Sequence, residues 1–422
     1  MNPTVELLAE PAPPSTLHSP PPAPRDARLP HEKPAADALE PAWLWQGQLP
    51  CLNGLRALSI LVVIVAHLSG KASTSFPLPH LSGAIGVEMF FVISGFLITL
   101  LLLREHRRQG TVSVRDFFLR RVFRIVPAYA FYLLVLLGLQ LAGVIHVPVE
   151  SWARAVTYTT SLFEFRSGGL DLHHTWSLSV EEHFYLLWPC LMLLLGIRKS
   201  MLAAGLCIVL TPFLRFTLQH GLGESHPNFS FFTPTRMDAI AVGCCLAYLA
   251  TSPGFRRATG LATKWSTVAA AAGVALVVGV ALLSWAARVP ALADAAKSFC
   301  SLEPFLASTL KPILLAWIVW TCVRTPYSLV GRILNCKILN YLGILSYSLY
   351  LWQQLFLQPE RSHWTCDWPY NIVFALVAAV ISYVLIERPF LALKERLSLA
   401  APSGPPMVLH SPRRGVSGLS PE

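Results

Sequence analysis

The sequence has few charged residues and lacks the features that stabilise soluble or secreted folds. Of its 422 residues only 13% are charged, whereas 54% are hydrophobic. A soluble domain carries roughly a quarter charged residues, so this balance argues against one. The nine cysteines are odd in number and most lie in apolar runs, so no disulfide framework is implied. A disulfide bond between Cys300 and Cys366 remains an alternative, because both lie in loops that are predicted on the outer side of the membrane.

Several catalytic and binding motifs are also missing. No GxSxG elbow, HExxH motif or phosphate-cradling glycine loop occurs, so no metal site is predicted. The net charge is +10, but the basic residues are scattered in short loops between apolar runs. That distribution is typical of the positive-inside bias of membrane proteins, and nucleic-acid binding explains it poorly.

Long apolar runs dominate what is present. They predict an all-α, polytopic membrane protein with about ten transmembrane helices, because a helix satisfies its own backbone groups in lipid. A span needs about 20 apolar residues. The candidate spans are residues 51–69, 86–103, 125–145, 183–197, 201–219, 238–251, 266–286, 307–323, 341–357 and 370–387.

Proline-rich segments flank these spans. Residues 1–45 hold eleven of the 33 prolines, and residues 399–422 are similar. Both are predicted to be disordered tails around a membrane domain at 46–398. With the N-terminus inside, the inner loops carry 18 lysines and arginines and the outer loops eight. We therefore expect a multi-pass protein of the inner (cell) membrane with both termini in the cytoplasm.

The first span, RALSILVVIVAH, carries an arginine and a histidine. Arg56 and His67 are eleven residues apart, which is three helical turns plus about 20°, so both side chains share one face. They lie about 16 Å apart along the axis. An ionisable residue inside a span is costly and indicates a functional site. The alternative is a snorkelling arginine and a histidine at the outer boundary.

A carboxylate stands in the second span. Glu88 follows an apolar start and precedes an apolar run. It is predicted to pair with Arg56 or with His67, where it would orient the imidazole, or else to sit at the outer boundary.

Three arginines, Arg120, Arg121 and Arg124, stand just before the third span on the predicted inner side. One interpretation is ordinary anchoring at the membrane surface. The other is a site for an anionic cofactor, because guanidinium groups match phosphate geometry.

The strongest local signal is HHTWSLSVEEHFYLLWP at residues 173–189. Ser179 and Glu182 have capping-box spacing, which would explain one glutamate but not its neighbours. Glu181 and Tyr185, four residues apart, share a helix face. The candidate substrate-binding or orienting residues are His174, Trp176, Ser177, Glu181, Glu182 and Tyr185, joined by Arg236 and Asp238 at the mouth of a later span.

Taken in order, these motifs resemble those of the acyltransferase 3 family of integral membrane acyltransferases, over about residues 48–395. The motifs are NGLRALSILVVIVAH, GVEMFFVISGFLIT, FFLRRVFRIVPAY, HHTWSLSVEEHFYLLWP, RMDAIAVGCCLAYL, SYSLYLW and IERPF. The resemblance implies a ten-helix membrane domain and an Arg-x10-His motif at Arg56 and His67. Two departures stand out: the family usually has aspartate at Glu88 and often histidine at Gln353.

The resemblance also implies a function. We expect an O-acyltransferase that moves an acyl group, acetyl above all, from acetyl-CoA to a hydroxyl of a cell-surface or exported polysaccharide or glycoside. No cofactor would be bound permanently. His67, Arg56 and Glu88 would be catalytic, and Arg120, Arg121 and Arg124 would bind the donor. A macrolide acceptor is one alternative.

Other function classes stay open from the residues alone. Ionisable groups inside spans also suit a proton-coupled transporter or flippase. Against that class, the chain shows no internal repeat and no paired broken spans. A non-catalytic membrane scaffold would leave the charged groups unexplained.

Overall fold

The structure is a computed structural model, and it describes residues 42–45, 47–69, 83–163, 170–221, 231–260, 268, 275, 308–358 and 363–400. Within these ranges every regular element is helical and no strand occurs, which confirms the predicted helical class. The α-helices, numbered in chain order, are α1 (Ala42–Trp45), α2 (Leu52–Ser69), α3 (Ala84–Gln109), α4 (Val114–Leu141), α5 (Val149–Val156), α6 (Leu170–His173), α7 (Thr175–Gly221), α8 (Met237–Thr251), α9 (Pro253–Gly260), α10 (Ser308–Arg324), α11 (Leu329–Leu334), α12 (Lys337–Phe356), α13 (Tyr370–Ser382) and α14 (Arg388–Ala400). A π-helical segment, Tyr383–Glu387, joins α13 to α14.

Several of these helices are suited to a membrane. Four described stretches are long and apolar enough to cross one: α3, α4, α7 and the run from α13 into α14. Helix α8, with the start of α9 bent from it by 93°, is a fifth candidate, and α2 is apolar but shorter. Nine predicted spans coincide with described helices. The tenth, 266–286, lies outside the described residues apart from two positions, so the number ten stays a prediction.

Helix α7 consists of two antiparallel halves. A straight helix of its 47 residues would be about 70 Å long, more than twice the bilayer core. Gly196 interrupts it at φ 75° and ψ 171°, a region open essentially to glycine alone. His183 Nδ1 lies 3.0 Å from Thr233 Oγ1, and Arg215 Nε donates over 2.9 Å to the Thr235 carbonyl. Because one half contacts Thr233 and the other contacts Thr235, the chain must fold back at Gly196. The two spans predicted on either side of Gly196 also require such a reversal.

Glycines bring α3 and α8 into backbone contact. A Cβ on Gly95 would lie 2.0 Å from the carbonyl oxygen of Ile240, and one on Gly243 would lie 2.1 Å from that of Val92. Small residues at helix interfaces permit such close crossings in membranes. The crossing therefore requires glycine on both helices.

A glycine also brings the backbones of α2 and α12 into contact. A Cβ on Gly343 would lie 1.9 Å from the carbonyl oxygen of Asn53. Beside this contact, Asn53 Nδ2 donates to Asn340 Oδ1 over 2.7 Å. The close approach at one end of α2 places its other end, with His67, against the end of α12.

The N-terminal edge of the folded domain differs from the prediction. Helix α1 lies inside the range 1–45 assigned to the tail, yet three arginines of α3 hold it. Arg104 Nε donates to the Leu44 carbonyl over 2.9 Å, and Arg108 Nη2 donates to the Trp45 carbonyl over 3.1 Å. The Arg107 guanidinium lies 4.1 Å from the centroid of the Trp45 ring. The domain thus begins a few residues before 46.

The alternative of a disulfide bond between Cys300 and Cys366 is not decided, because Cys300 lies outside the described residues. Cys366 is buried, and its Sγ faces the Leu355 carbonyl at 3.9 Å.

Candidate active site

The Arg-x10-His pair occupies one continuous helix. Helix α2 runs unbroken from Leu52 to Ser69, so Arg56 and His67 have the helical spacing that the sequence predicts. His67 Nδ1 lies 2.7 Å from Oε1 of Gln353 on α12. Its partner is therefore an amide and not Glu88.

Arg56 lies at the centre of a group of charged side chains. It interacts electrostatically with Arg124, Glu181 and Glu387. These residues come from α4, α7 and the π-helical segment, three elements that are far apart in the sequence. An arginine so placed is not the snorkelling anchor of the alternative interpretation, because its neighbours are charged side chains of the protein interior.

The WSL/EE segment forms the start of α7. The helix begins at Thr175, whose hydroxyl bonds the Leu172 carbonyl, and Ser179 donates inside the helix to the Thr175 carbonyl over 3.1 Å. The predicted capping box of Ser179 and Glu182 is therefore wrong, because the helix starts four residues earlier. Glu182 therefore lies within the helix and does not cap its start.

Glu181 is held by two hydroxyl groups. Ser94 Oγ donates to Oε1 over 2.8 Å and Tyr185 OH donates to Oε2 over 3.0 Å. The shared face of Glu181 and Tyr185 is confirmed. Ser94, on α3, was not among the predicted site residues.

The three arginines of the RRxxR stretch lie inside α4, which begins at Val114 and not near residue 125. Each of them meets a different partner. Arg120 Nη2 forms an ion pair with Glu105 Oε2 at 2.8 Å. Arg121 lies over the ring of Tyr185, 5.4 Å from its centroid, and Arg124 faces Arg56.

Glu88 belongs to a separate group of charges near the start of α3. Arg236 Nη1 donates to Glu88 Oε1 over 3.0 Å, and Lys311 Nζ lies 3.7 Å from the same oxygen. The Arg236 guanidinium also lies 5.9 Å from the centroid of the Trp176 ring. The structure thus brings together Arg236 and Trp176, two predicted site residues, but it does not pair Glu88 with Arg56 or His67.

Asp238 is paired with a residue that the prediction did not include. Arg215 Nη2 donates to Asp238 Oδ1 over 2.7 Å, and Thr309 Oγ1 donates to Oδ2 over 3.1 Å. This buried ion pair connects the second half of α7 to α8 and α10.

His174 and Ser177 meet around a tyrosine of α12. Tyr350 OH lies 2.5 Å from Ser177 Oγ and donates to the His174 carbonyl over 2.9 Å. The His174 ring packs 5.5 Å from the Tyr350 ring and 5.6 Å from Tyr132, centroid to centroid. His174 is buried and lies near enough to His67 for the two imidazoles to interact electrostatically.

The charged residues of α2, α4 and α7 form a half-buried group. Arg56, His67, Arg121, Glu181 and Glu182 are enclosed by the surrounding helices, yet each keeps part of its surface accessible. Ionisable residues at membrane depth characteristically face the interior of the helix bundle. Within the described residues, no group of three His, Cys, Asp or Glu side chains could hold a metal ion.

Five residues of these groups lie outside the predicted site: Ser94, Arg215, Lys311, Gln353 and Glu387. Arg215 had a usable signal, a charge inside the predicted span 201–219. Glu387 had one too, a carboxylate at the end of the predicted span 370–387. It is buried and accepts a hydrogen bond from Ser348.

The acyltransferase-domain family, known as acyltransferase 3, matches residues 49–388. This chain belongs to that family. The matched stretch contains all the predicted site residues, from Arg56 to Asp238, and also Gln353 and Glu387. The family match and the long apolar helices together indicate a membrane protein.

Curated relatives of the acyltransferase share its central region. A Staphylococcus aureus (strain COL) protein, provisionally named an O-acetyltransferase, is 29% identical over 370 residues. O-acetyltransferase OatA of Staphylococcus aureus (strain NCTC 8325) is 28% identical over 370 residues. Each alignment covers 81% of this chain but only 57% of the relative. No solved structure matches the acyltransferase.

Proposed function

We propose that the protein is a membrane O-acetyltransferase that uses acetyl-CoA on the cytoplasmic side to acetylate a hydroxyl of a glycan or glycoside on the outer side. The observation that carries the proposal is the unbroken helix α2, with Arg56 beside Arg124 towards one end and His67, hydrogen-bonded to Gln353, towards the other. The names of the similar proteins support the acetyl group.

The donor would enter from the end of α4 where the arginines begin. Arg120 is partly exposed and pairs with Glu105, and its guanidinium has the geometry to bind a phosphate. Arg121 and Arg124 lie deeper, where Glu181 and Glu387 offset their charge. We therefore assign Arg120 to the nucleotide end of acetyl-CoA, and Arg121 and Arg124 to the path of the pantetheine arm.

His67 would act on the acceptor. The imidazole removes the proton of the acceptor hydroxyl while the oxygen attacks the thioester carbonyl. The carbon–sulfur bond then breaks, and the imidazolium returns the proton to the leaving thiolate of CoA. General-base help of this kind is worth about 10² to 10⁴ in rate. A variant of the same route has the imidazole carry the acetyl group before the acceptor takes it.

The acceptor would lie among the residues around the ends of α2, α3 and α7. Trp176 offers an aromatic ring beside the guanidinium of Arg236. Ser177 and His174 continue this wall through Tyr350. Indole rings and charged side chains are suited to the apolar faces and hydroxyl groups of sugars, so an exported polysaccharide fits here better than a macrolide.

The test is acetyl transfer with two substituted variants. Membranes of the native host, lacking its own copy and carrying each variant, are supplied with [¹⁴C]acetyl-CoA, and label in the surface glycan is counted. We expect His67→Ala and Arg56→Ala to lose at least about 100-fold of the rate. His146→Ala, an exposed histidine on the same predicted side, is the control and should match the unsubstituted protein.

A proton-coupled transporter is the second candidate, and the enclosed charged groups favour it. The same membranes decide between the two. Label transfer that needs acetyl-CoA and persists after the proton gradient is collapsed supports the transferase. If both variants keep full transfer, or if no transfer depends on the protein, the proposal is wrong.

A further inference from the structure

Gln353 is a fully buried amide beside the imidazole that the proposed function uses. It lies near the end of α12 and has no exposed surface. Its Oε1 lies 2.7 Å from His67 Nδ1, a short distance for a nitrogen–oxygen hydrogen bond. A buried polar group is usually placed for its partner, because an unpartnered one is costly.

The second hydrogen bond of the amide agrees with an orientation in which its oxygen faces the imidazole. Gln353 Nε2 donates to Gln354 Oε1 over 3.4 Å. With the amide nitrogen turned to Gln354, the amide oxygen is turned to His67. An amide oxygen only accepts, so the proton of the neutral imidazole must be on Nδ1. The lone pair is then on Nε2.

We propose that Gln353 is the positioning residue that holds His67 in the Nδ1–H tautomer, so that Nε2 is the atom that takes the acceptor's proton. The inference rests on the proposed role of His67. Hydrogen bonds to the distal nitrogen commonly select the tautomer and ring orientation of a functional histidine. Here a neutral amide does so.

The other groups near the ring do not supply this function. His173 and His174 interact with His67 electrostatically, and no hydrogen bond joins either to it among the described residues. Glu88, the carboxylate that the sequence offered for the role, is engaged by Arg236 and Lys311. The amide of Gln353 is thus the group in place to orient the ring.

The experiment compares two substitutions of similar size in the transfer assay described above. Gln353→Met removes the acceptor and keeps the shape, whereas Gln353→Glu keeps an acceptor oxygen and removes the donor. We expect Gln353→Met to lower the maximal rate about 10- to 100-fold, the usual effect of losing such a partner. The acetyl-CoA concentration at half-maximal rate should change less than about twofold, because the donor arginines are untouched. Gln353→Glu should restore most of the rate.

Gln140→Met is the matched control. Gln140 is a partly buried glutamine on α4 whose Oε1 accepts from Trp152 Nε1 over 2.9 Å, away from the site. Gln140→Met removes a hydrogen-bond acceptor in the same way. The maximal rate of this variant, per molecule of membrane protein, should equal that of the unsubstituted protein.

The outcomes separate the inference from the proposed function. If Gln353→Met keeps the full rate while His67→Ala is inactive, the inference fails and the proposed function stands. If Gln353→Glu is as slow as Gln353→Met, the amide does not serve as an acceptor and the assigned tautomer is wrong. If His67→Ala is fully active, the proposed function itself fails.

Discussion

At the scale of single residues, the interior of the site is a set of charges of both signs placed so that they offset one another. The cations are Arg56, Arg121 and Arg124, and the carboxylates are Glu181, Glu182 and Glu387. An isolated charge inside a membrane domain is costly, whereas charges that face opposite charges and hydroxyl groups are retained. Each member therefore matters for folding as well as for the proposed chemistry.

The balance predicts a large effect of removing one negative charge. Glu181→Gln keeps the shape but leaves the neighbouring guanidinium groups of Arg56 and Arg121 without that carboxylate. We expect the free energy of unfolding to fall by about 1–3 kcal/mol, because the amide also accepts from only one of the hydroxyl groups of Ser94 and Tyr185 and leaves the other without its acceptor. Thermal unfolding of the detergent-solubilised protein measures it as a lower midpoint.

Glu150→Gln serves as the control, because Glu150 is exposed on α5. Its midpoint should equal that of the unsubstituted protein, since exposed charges contribute about 0–1 kcal/mol. Equal midpoints for the two variants would show that Glu181 is not part of a charge balance.

The residue types of this site were visible in the sequence, but their partners were not. Arg56, His67 and the WSL/EE segment stood out because ionisable side chains are rare in apolar runs. The pairing of Glu88 with Arg236, and of His67 with Gln353, joins residues more than 140 positions apart. Local periodicity carries no information about which face of one helix meets which face of another.

At the scale of helices, two kinds of glycine shape the molecule. Gly95 and Gly243 are needed for space, because a Cβ would meet backbone atoms of the opposite helix. Gly196 is needed for its backbone dihedral angles, because nothing lies within 4 Å of its Cβ position. Only Gly196 is required where the chain reverses between the two halves of α7.

The conformational role of Gly196 can be tested by a substitution that causes no steric clash. Gly196→Ala places a Cβ in open space but holds alanine at φ 75°. We expect it to lower the free energy of unfolding by about 1–3 kcal/mol through backbone strain alone. The measurement is again the thermal midpoint in detergent.

Gly205→Ala is the matched variant, since Gly205 lies in the regular second half of α7 and also has nothing within 4 Å of its Cβ position. It should be neutral or stabilising by up to about 1 kcal/mol, because alanine favours a helix. A Gly196→Ala midpoint at or above that of Gly205→Ala would refute the reversal by a glycine-specific conformation.

At the scale of the whole molecule, the orientation in the membrane decides which substrate meets which end of the site. The predicted inner side carries Arg107 and Arg108 at the end of α3, and the predicted outer side carries His67 and Glu88. The donor and acceptor assignments depend on this direction, because acetyl-CoA is made in the cytoplasm and the proposed acceptor lies outside.

Two engineered cysteines test the orientation. Gln109 and Val149 are both exposed. Gln109 follows the predicted second span, on the inner side, and Val149 follows the predicted third span, on the outer side. In a background without other reactive cysteines, Val149→Cys should react with a membrane-impermeant maleimide on intact cells. Gln109→Cys should react only after the cells are opened. The reverse pattern would place the donor site outside and overturn the proposed direction of transfer.

The helical membrane class, nine helix positions and most of the residue types in the candidate site follow from the sequence alone. They do so because apolar length, loop charge and helical spacing are local properties of the chain. The partners are seen only in the tertiary structure. Gln353 is the partner of His67, Arg236 and Lys311 are the partners of Glu88, and the three arginines of α4 each have a different partner. These depend on where helices cross, and the crossings depend on backbone contacts between glycines and carbonyl groups that lie far apart in the sequence.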